Sequence, residues 1–407
     1  MKPTVSRQAT GETDEPPAAP AGDATASRWQ PAAAFAALLL LAFAYDAGYL
    51  AASGWLSDEV IFPVAVRMVL DGRSPYDQAV YLGTPTFAYA CAWAARRIGL
   101  FQVALVVRAL NVVATAVVAW IASACVRSTL RIRCATAVLV LLAAPPLLDA
   151  LRAGNPSPIV NALTLIVLVS WRRHPVAAGL ALGVGLVIKP YALLLIPVLF
   201  AARLERPTRA HVIAPLTAGA VFLSALLAIP SEFWRMLAQH EGFNVEGRSM
   251  SLQRPLYCLI GWGPSTTTIL IVVTLAAVIH VRLRQRSDGE VAHVAMLACI
   301  LGLTRIWLHT LTLALPLVCQ VLAERTRRLA AAWQGPVAIR KRLLMDLIGS
   351  VALVFILFNC DTWVCITILY PALPRWADGL FALLPLAALL ALFRQGLRYE
   401  EAKRTAV

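Results

Sequence analysis

Val176–Ala202 reads VAAGLALGVGLVIKPYALLLIPVLFAA, a run whose single charge is Lys189. Arg172 and Arg173 precede it, and Arg203, Arg206 and Arg209 follow it. Basic residues gather at the cytoplasmic ends of membrane spans. A run with arginines at both ends therefore has to enter the bilayer and come back. Its middle supplies the turning point. Pro190 has no N–H to donate, and its ring drives the preceding residue out of the α region. The pattern predicts a helical hairpin with its tip at Lys189-Pro190, reaching toward the extracytoplasmic face.

The stretch 290–323 has the same layout. Arg282, Arg284 and Arg286 lie before it, Arg325, Arg327 and Arg328 after it, and a polar break runs from Arg305 to His309. Outward from these two hairpins, apolar runs of about the length that crosses a bilayer fit single spans near 32–52, 100–124, 134–150, 157–171, 211–230, 264–283, 343–358 and 376–393. The expected architecture is an all-α polytopic membrane bundle of about twelve helices (range 10–13), with both termini cytoplasmic. Residues 1–30, rich in Ala, Pro, Ser and Thr, read as a disordered cytoplasmic tail. Residues 31–394 form one membrane domain with a structured first outer loop at about 53–99, and 395–407 form a cytoplasmic tail.

Composition agrees. Of 407 residues, 59% are hydrophobic and 14% charged, and the mean hydropathy is +0.72. A soluble core could not hide that much apolar surface. The apolar runs are continuous rather than alternating, which excludes a β-barrel. The net charge of +14 lies in short loops between apolar runs, where it suits an anionic inner leaflet rather than nucleic acid. Eight cysteines show no C-x-x-C spacing, so no metal site is expected. Cys360 and Cys365 fall together in an outer loop, as a disulfide or as two thiols. Neither a Walker A loop nor a dinucleotide-binding glycine fingerprint is present, which argues against a nucleotide-sugar donor and an ATP-driven pump. Gly179, Gly183 and Gly185 have the spacing that lets one membrane helix approach another closely.

This topology sends Asp58, Glu59, Asp71, Asp77, Arg152, Asn155, Lys189, Glu232, Arg254, Arg305 and His309 to the outer side. Charge at membrane depth is costly unless it pairs or faces a cavity. Lys189 reads either as a snorkelling side chain or as the cation for a lipid-linked phosphate. Arg305 and His309 share a helical face, and two broken hairpins carrying cations at one depth suggest a shared site. Asp58 and Glu59 read as catalytic acid–base groups or as a solvated pair at the start of a loop helix near 59–70, with Ser57 as its N-cap. Asp46, inside the first helix, reads as the second choice for the catalytic carboxylate or as a buried, hydrogen-bonded or protonated acid.

In order along the chain stand Asp58, then Gly72-Arg-Ser-Pro75-Tyr76-Asp77, Gly154-Asn155-Pro-Ser, Ala178-Gly179-Leu180 through Ile188-Lys189-Pro190, and Trp307-Leu-His309. In this series the chain resembles glycosyltransferase family 87, the polyprenyl-phosphate-sugar-dependent mannosyl- and arabinosyltransferases of the GT-C superfamily, over about residues 31–325. It departs from the family pattern at Tyr89-Ala90-Cys91, at Asn155 and at Gly302-Leu-Thr304-Arg305. The resemblance implies a GT-C-like fold, a polyprenyl-phosphate hexose or pentose as donor, a glycolipid or glycan as acceptor, and an extracytoplasmic site. It makes Asp58 the general base and places His309 in the same site.

The chemistry expected of those residues is an inverting displacement. A carboxylate that takes the acceptor's proton contributes typically 10²–10⁴-fold, a role for Asp58, with Glu59, His309 and Asp46 as supporting candidates. The departing lipid phosphate calls for fixed cations, for which Lys189, Arg305 and Arg254 are candidates. Tyr76, Asn155 and Trp307 are candidates to position substrate. No cofactor is expected. A secondary transporter or lipid flippase, which also uses broken helices and midplane charge, is the rival reading, and a non-catalytic membrane protein the third.

Overall fold

The computed structural model describes residues 30–53, 57–77, 83–126, 128–153, 156–202, 209–241, 251–284, 287–302, 308–359 and 374–405. Among them there are helices and no strands. The first part of the chain forms α1 (Gln30–Ser53), α2 (Ser57–Leu70), α3 (Pro85–Ile98), α4 (Leu100–Ala124), α5 (Leu130–Ala143), α6 (Pro145–Ala153) and α7 (Ser157–Ser170). Then come α8 (Pro175–Ile188), a first 3-10 segment (Pro190–Leu194), α9 (Leu195–Ala201), α10 (Arg209–Ala228), α11 (Pro230–Glu241) and α12 (Gln253–Ile260). The last part holds α13 (Thr266–Arg284), α14 (Asp288–Leu301), a second 3-10 segment (Leu308–Ala314), α15 (Leu315–Ala331), α16 (Val337–Phe358) and α17 (Arg375–Thr405).

The protein is an all-α polytopic membrane protein. Among the described residues, four helices are long and apolar enough to cross a bilayer: Gln30–Gly48, Leu100–Ala124, Thr266–Arg284 and Trp376–Ala402. A fifth span arises if Val212–Ala228 and Pro230–Ala238, bent by 100°, count as one. The expected dozen also counts shorter apolar helices, such as Ser157–Ser170, Pro175–Ile188 and Pro190–Ala201. Large apolar side chains such as Leu40, Leu139, Leu216 and Leu283 lie exposed on the outside of the bundle, as they would against lipid.

The first predicted break occurs, and the second falls between two described elements. At Lys189-Pro190 an α-helix gives way to 3-10 geometry; α14 ends at Leu301 and a 3-10 segment starts at Leu308, with 303–307 outside the described residues. The arms do not fold back as simple pairs. α8 lies against α7 and α10, whereas α9 turns to α10, α13 and α14. One break escaped the sequence reading. The single span expected over 134–150 is two helices, because Pro145 and Pro146 end α5 at Ala143 and start α6. Proline at a first helical position forfeits no hydrogen bond, whereas inside α5 it would.

The glycine-dependent packing expected for α8 is present. A Cβ on Gly179 would lie 2.6 Å from the Ala214 carbonyl oxygen, and one on Gly183 would lie 2.6 Å from the Val221 Cβ. α8 and α10 therefore meet almost backbone to backbone. A cavity of about 800 Å³ between α5, α15 and α16 is lined mostly by apolar side chains, including Val140, Leu315, Val318, Val351 and Phe355.

Candidate functional site

Lys189 sits in extended backbone, φ −147° and ψ 132°, as the residue before Pro190 must. Its side chain is buried, and its Nζ donates to Ser157 Oγ at 2.8 Å. Ser157 opens α7, so a lysine ammonium and a helix N-terminus meet in one place. Each favours an anion. The Tyr191 hydroxyl donates to Asn161 Oδ1 at 2.6 Å and lies 3.3 Å from the Ser157 carbonyl oxygen. The Asn161 amide donates to Thr312 Oγ1 in the second 3-10 segment. Ser157, Asn161 and Thr312 are fully buried. The two broken elements and the start of α7 thus share one polar cluster inside an apolar bundle. His309 falls one 3-10 turn ahead of Thr312 in the backbone; its side chain lies outside the described residues.

The first loop is stitched to the same break. The last turn of a helix leaves carbonyls without intrahelical donors. The Thr84 N–H donates to the Ile188 carbonyl at 3.1 Å, and its hydroxyl donates to the Val187 carbonyl. Thr84 also caps α3, accepting from the Phe87 N–H at 3.3 Å. Thr86 Oγ1 donates to the Ala225 carbonyl of α10 at 2.8 Å. Upstream, the Tyr76 hydroxyl donates to the Gly83 carbonyl at 2.8 Å. Burial, and then the nearby Glu232 carboxylate, push the Tyr76 phenol well above its ordinary pKa. Ser74 Oγ donates to Glu232 on α11.

Other sequence-selected residues go elsewhere. Asp46 accepts from Arg108 Nε at 2.8 Å and Nη2 at 2.7 Å, and both side chains are buried. The hydrogen-bonded, buried reading of Asp46 is the one its surroundings support. Arg254 donates through Nε and Nη2 to Asp378 Oδ1 at 3.0 and 2.8 Å, which ties α12 to the first turn of α17. Asp58 and Glu59 lie in the first turn of α2, which runs Ser57–Leu70 and so takes in Ser57 rather than starting near 59 after it; their side chains lie outside the described residues. Asn155, Arg305, Trp307, Cys360, Cys365 and the tail 1–29 also lie outside them. Among the described residues, Asp46, Tyr76, Lys189 and Arg254 do not line the 800 Å³ cavity.

The sequence reading missed Arg108, Ser157, Asn161, Tyr191 and Thr312 as members of polar clusters. A signal existed for two of them. Asn161 is the one amide in the apolar helix SPIVNALTLIVLVS, and polar groups at such depth are costly without partners. Tyr191 directly follows Lys189-Pro190. Among the described residues, no group of three His, Cys, Asp or Glu side chains could hold a metal ion.

Fold and cluster define a polytopic membrane protein with a buried polar centre among broken helices. The family model described as Glycosyltransferase family 87 matches residues 81–308, more than half of the chain. The chain belongs to glycosyltransferase family 87 and is a membrane glycosyltransferase. The match takes in Asn155, Lys189, Arg254, Arg305 and Trp307. Asp46, Asp58, Glu59 and Tyr76 lie before it, and His309 directly after it. Searches of curated proteins and of solved structures each found no match.

Proposed function

We propose that the protein transfers a sugar, mannose or arabinose, from a polyprenyl-phosphate donor to a glycolipid or glycan acceptor on the extracytoplasmic side of the bacterial inner membrane. The observation that carries this reading is Lys189. An ammonium is held at a helix N-terminus, deep in an apolar bundle, one residue from the carbonyl that anchors the first loop. A lipid phosphate is an anion that arrives through the bilayer. As the glycosidic bond breaks, the phosphate gains charge, and a fixed cation with little solvent near it stabilises that change. Lys189 and Arg305 take this role. Arg254 is neutralised by Asp378 and serves α12 and α17 instead.

Asp58, at the start of α2, takes the acceptor hydroxyl's proton as the new C–O bond forms, and the anomeric centre inverts. In this reading His309 hydrogen-bonds the phosphate or donor sugar, Asn155 helps position substrate, and Trp307 stacks on a sugar ring. Tyr76 holds the loop that carries Asp58. The 800 Å³ cavity suits an isoprenoid chain in apolar character, and Leu315 on its wall directly follows the second 3-10 segment.

The test is transfer of labelled sugar from a polyprenyl-phosphate donor in proteoliposomes, with Asp58→Asn beside the parent. Parent activity with a loss of roughly 10²–10⁴-fold in the folded variant is the expected result. Full activity of Asp58→Asn removes the base. Solute movement without transfer would mark a transporter instead.

A further inference from the structure

Glu232 lies in the first turn of α11, past a 100° bend from α10. It is buried although α11 is exposed at Trp234 and Leu237. Its carboxylate accepts from Ser74 Oγ, and Ser74 Oγ accepts in turn from the Tyr76 N–H at 3.2 Å. Arg235 sits 3.7 Å from Glu232 and 3.6 Å from Asp77, but it is mostly exposed, so these ion pairs contribute little. The buried hydroxyl–carboxylate bond is the stronger link.

The turn that Glu232 grips joins two helices. On one side, Asp71, Gly72 and Arg73 donate to the Arg67, Val69 and Met68 carbonyls and close α2, with Gly72 at φ 73°. On the other side, Tyr76 reaches Gly83, and Thr84 reaches Ile188 beside Lys189. We propose that Glu232 is a positioning residue for sugar transfer: by fixing Ser74 it sets the direction of α2 and the seat of α3 against the Lys189 break. This rests on the function proposed above. Asp58 lies roughly 18 Å along α2 from Leu70. At that lever arm a tilt of only about 3° moves it by about 1 Å, a displacement that can cost about 10²-fold in rate.

The experiment pairs kinetics with amide hydrogen exchange on Ser74→Ala, Glu232→Ala, Glu232→Gln and the Ser74→Ala/Glu232→Ala double variant in the full-length protein. Glutamine keeps an acceptor for Ser74. Both alanine variants should lose about 10–100-fold in kcat with donor KM within about twofold, Glu232→Gln should recover most of it, and the double variant should lose no more than either single one. Exchange at residues 72–77 should speed up about tenfold or more in the alanine variants and not in Glu232→Gln. Unchanged exchange overturns the clamp whatever the activity. Faster exchange with unchanged kcat overturns the positioning role and leaves sugar transfer standing. Glu232→Gln as inactive as Glu232→Ala, beside a fully active Ser74→Ala, places the carboxylate on substrate and also overturns it. A parent protein without transfer sinks the sugar-transfer reading and the positioning role with it, while exchange still scores the clamp.

Discussion

Arg108 on α4 grips Asp46 on α1 with two parallel hydrogen bonds, 2.8 and 2.7 Å long, in a buried site. Helix pitch puts Asp46 about 24 Å from Gln30 and Arg108 about 24 Å from Ala124, so the antiparallel helices bring them level. Breaking one partner of a buried pair leaves an uncompensated charge and costs roughly 3–5 kcal/mol, whereas replacing both with apolar groups is often neutral. Asp46→Asn should therefore lower thermal stability in detergent strongly, and Asp46→Leu/Arg108→Met should recover most of it. An Asp46→Asn protein as stable as the parent but without activity would return Asp46 to the chemistry.

Lys189→Met keeps the length of the side chain and removes its charge. If the ammonium stabilises the leaving phosphate, kcat should fall by about 10²–10³-fold, the cost of removing one such donor elsewhere. Lys189→Arg should keep part of the rate. Equal rates for parent and Lys189→Met in a transfer assay would leave Lys189 as a packing residue.

The close approach of α8 and α10 makes a directional claim about glycine. Gly183→Ala places a methyl 2.6 Å from the Val221 Cβ, an overpacking that typically costs about 1–3 kcal/mol. Gly219 on α10 has nothing within 4 Å of its would-be Cβ. Gly219→Ala should be neutral or slightly stabilising, since alanine is the better helix former. Thermal unfolding of the two variants side by side checks the difference.

The Tyr76 phenol holds its proton more tightly in the folded protein, because burial and Glu232 disfavour the phenolate. Its contribution to stability is complete below the ordinary tyrosine value of about 10 and is lost as pH rises above that. The pH–rate curve should therefore carry no limb from Tyr76 near neutrality. Tyr76→Phe should leave the curve's shape unchanged while costing roughly 0.5–1.5 kcal/mol for the lost bond to Gly83.

Much of the bundle was legible because bilayer-length runs and prolines act locally. The span expected at 100–124 is α4, and that at 264–283 is α13, within two residues. Lys189-Pro190 announced its own break. Pro145-Pro146 is an equally local signal, set inside a continuous apolar run that reads as one span. The site was less legible because its bonds are long-range. Arg108 finds Asp46 across 62 residues, and Asn161 finds Thr312 across 151. One-dimensional spacing carries no trace of either meeting. Glu232 was visible as an outer charge, but its partner Ser74 stands 158 residues away.

The stitching of Thr84 to the last carbonyls of α8 bears on how the protein is made. Thr84 and Val187 are 103 residues apart, which at ordinary ribosomal speed is roughly 5–20 s of synthesis. For that interval Thr84 lacks the carbonyls it is stitched to, while α2 and α3 already have each other and α4 to pack on. A nascent chain cut short before α8 would lack both Lys189 and the carbonyls that hold Thr84, so this polar centre is completed only late in translation.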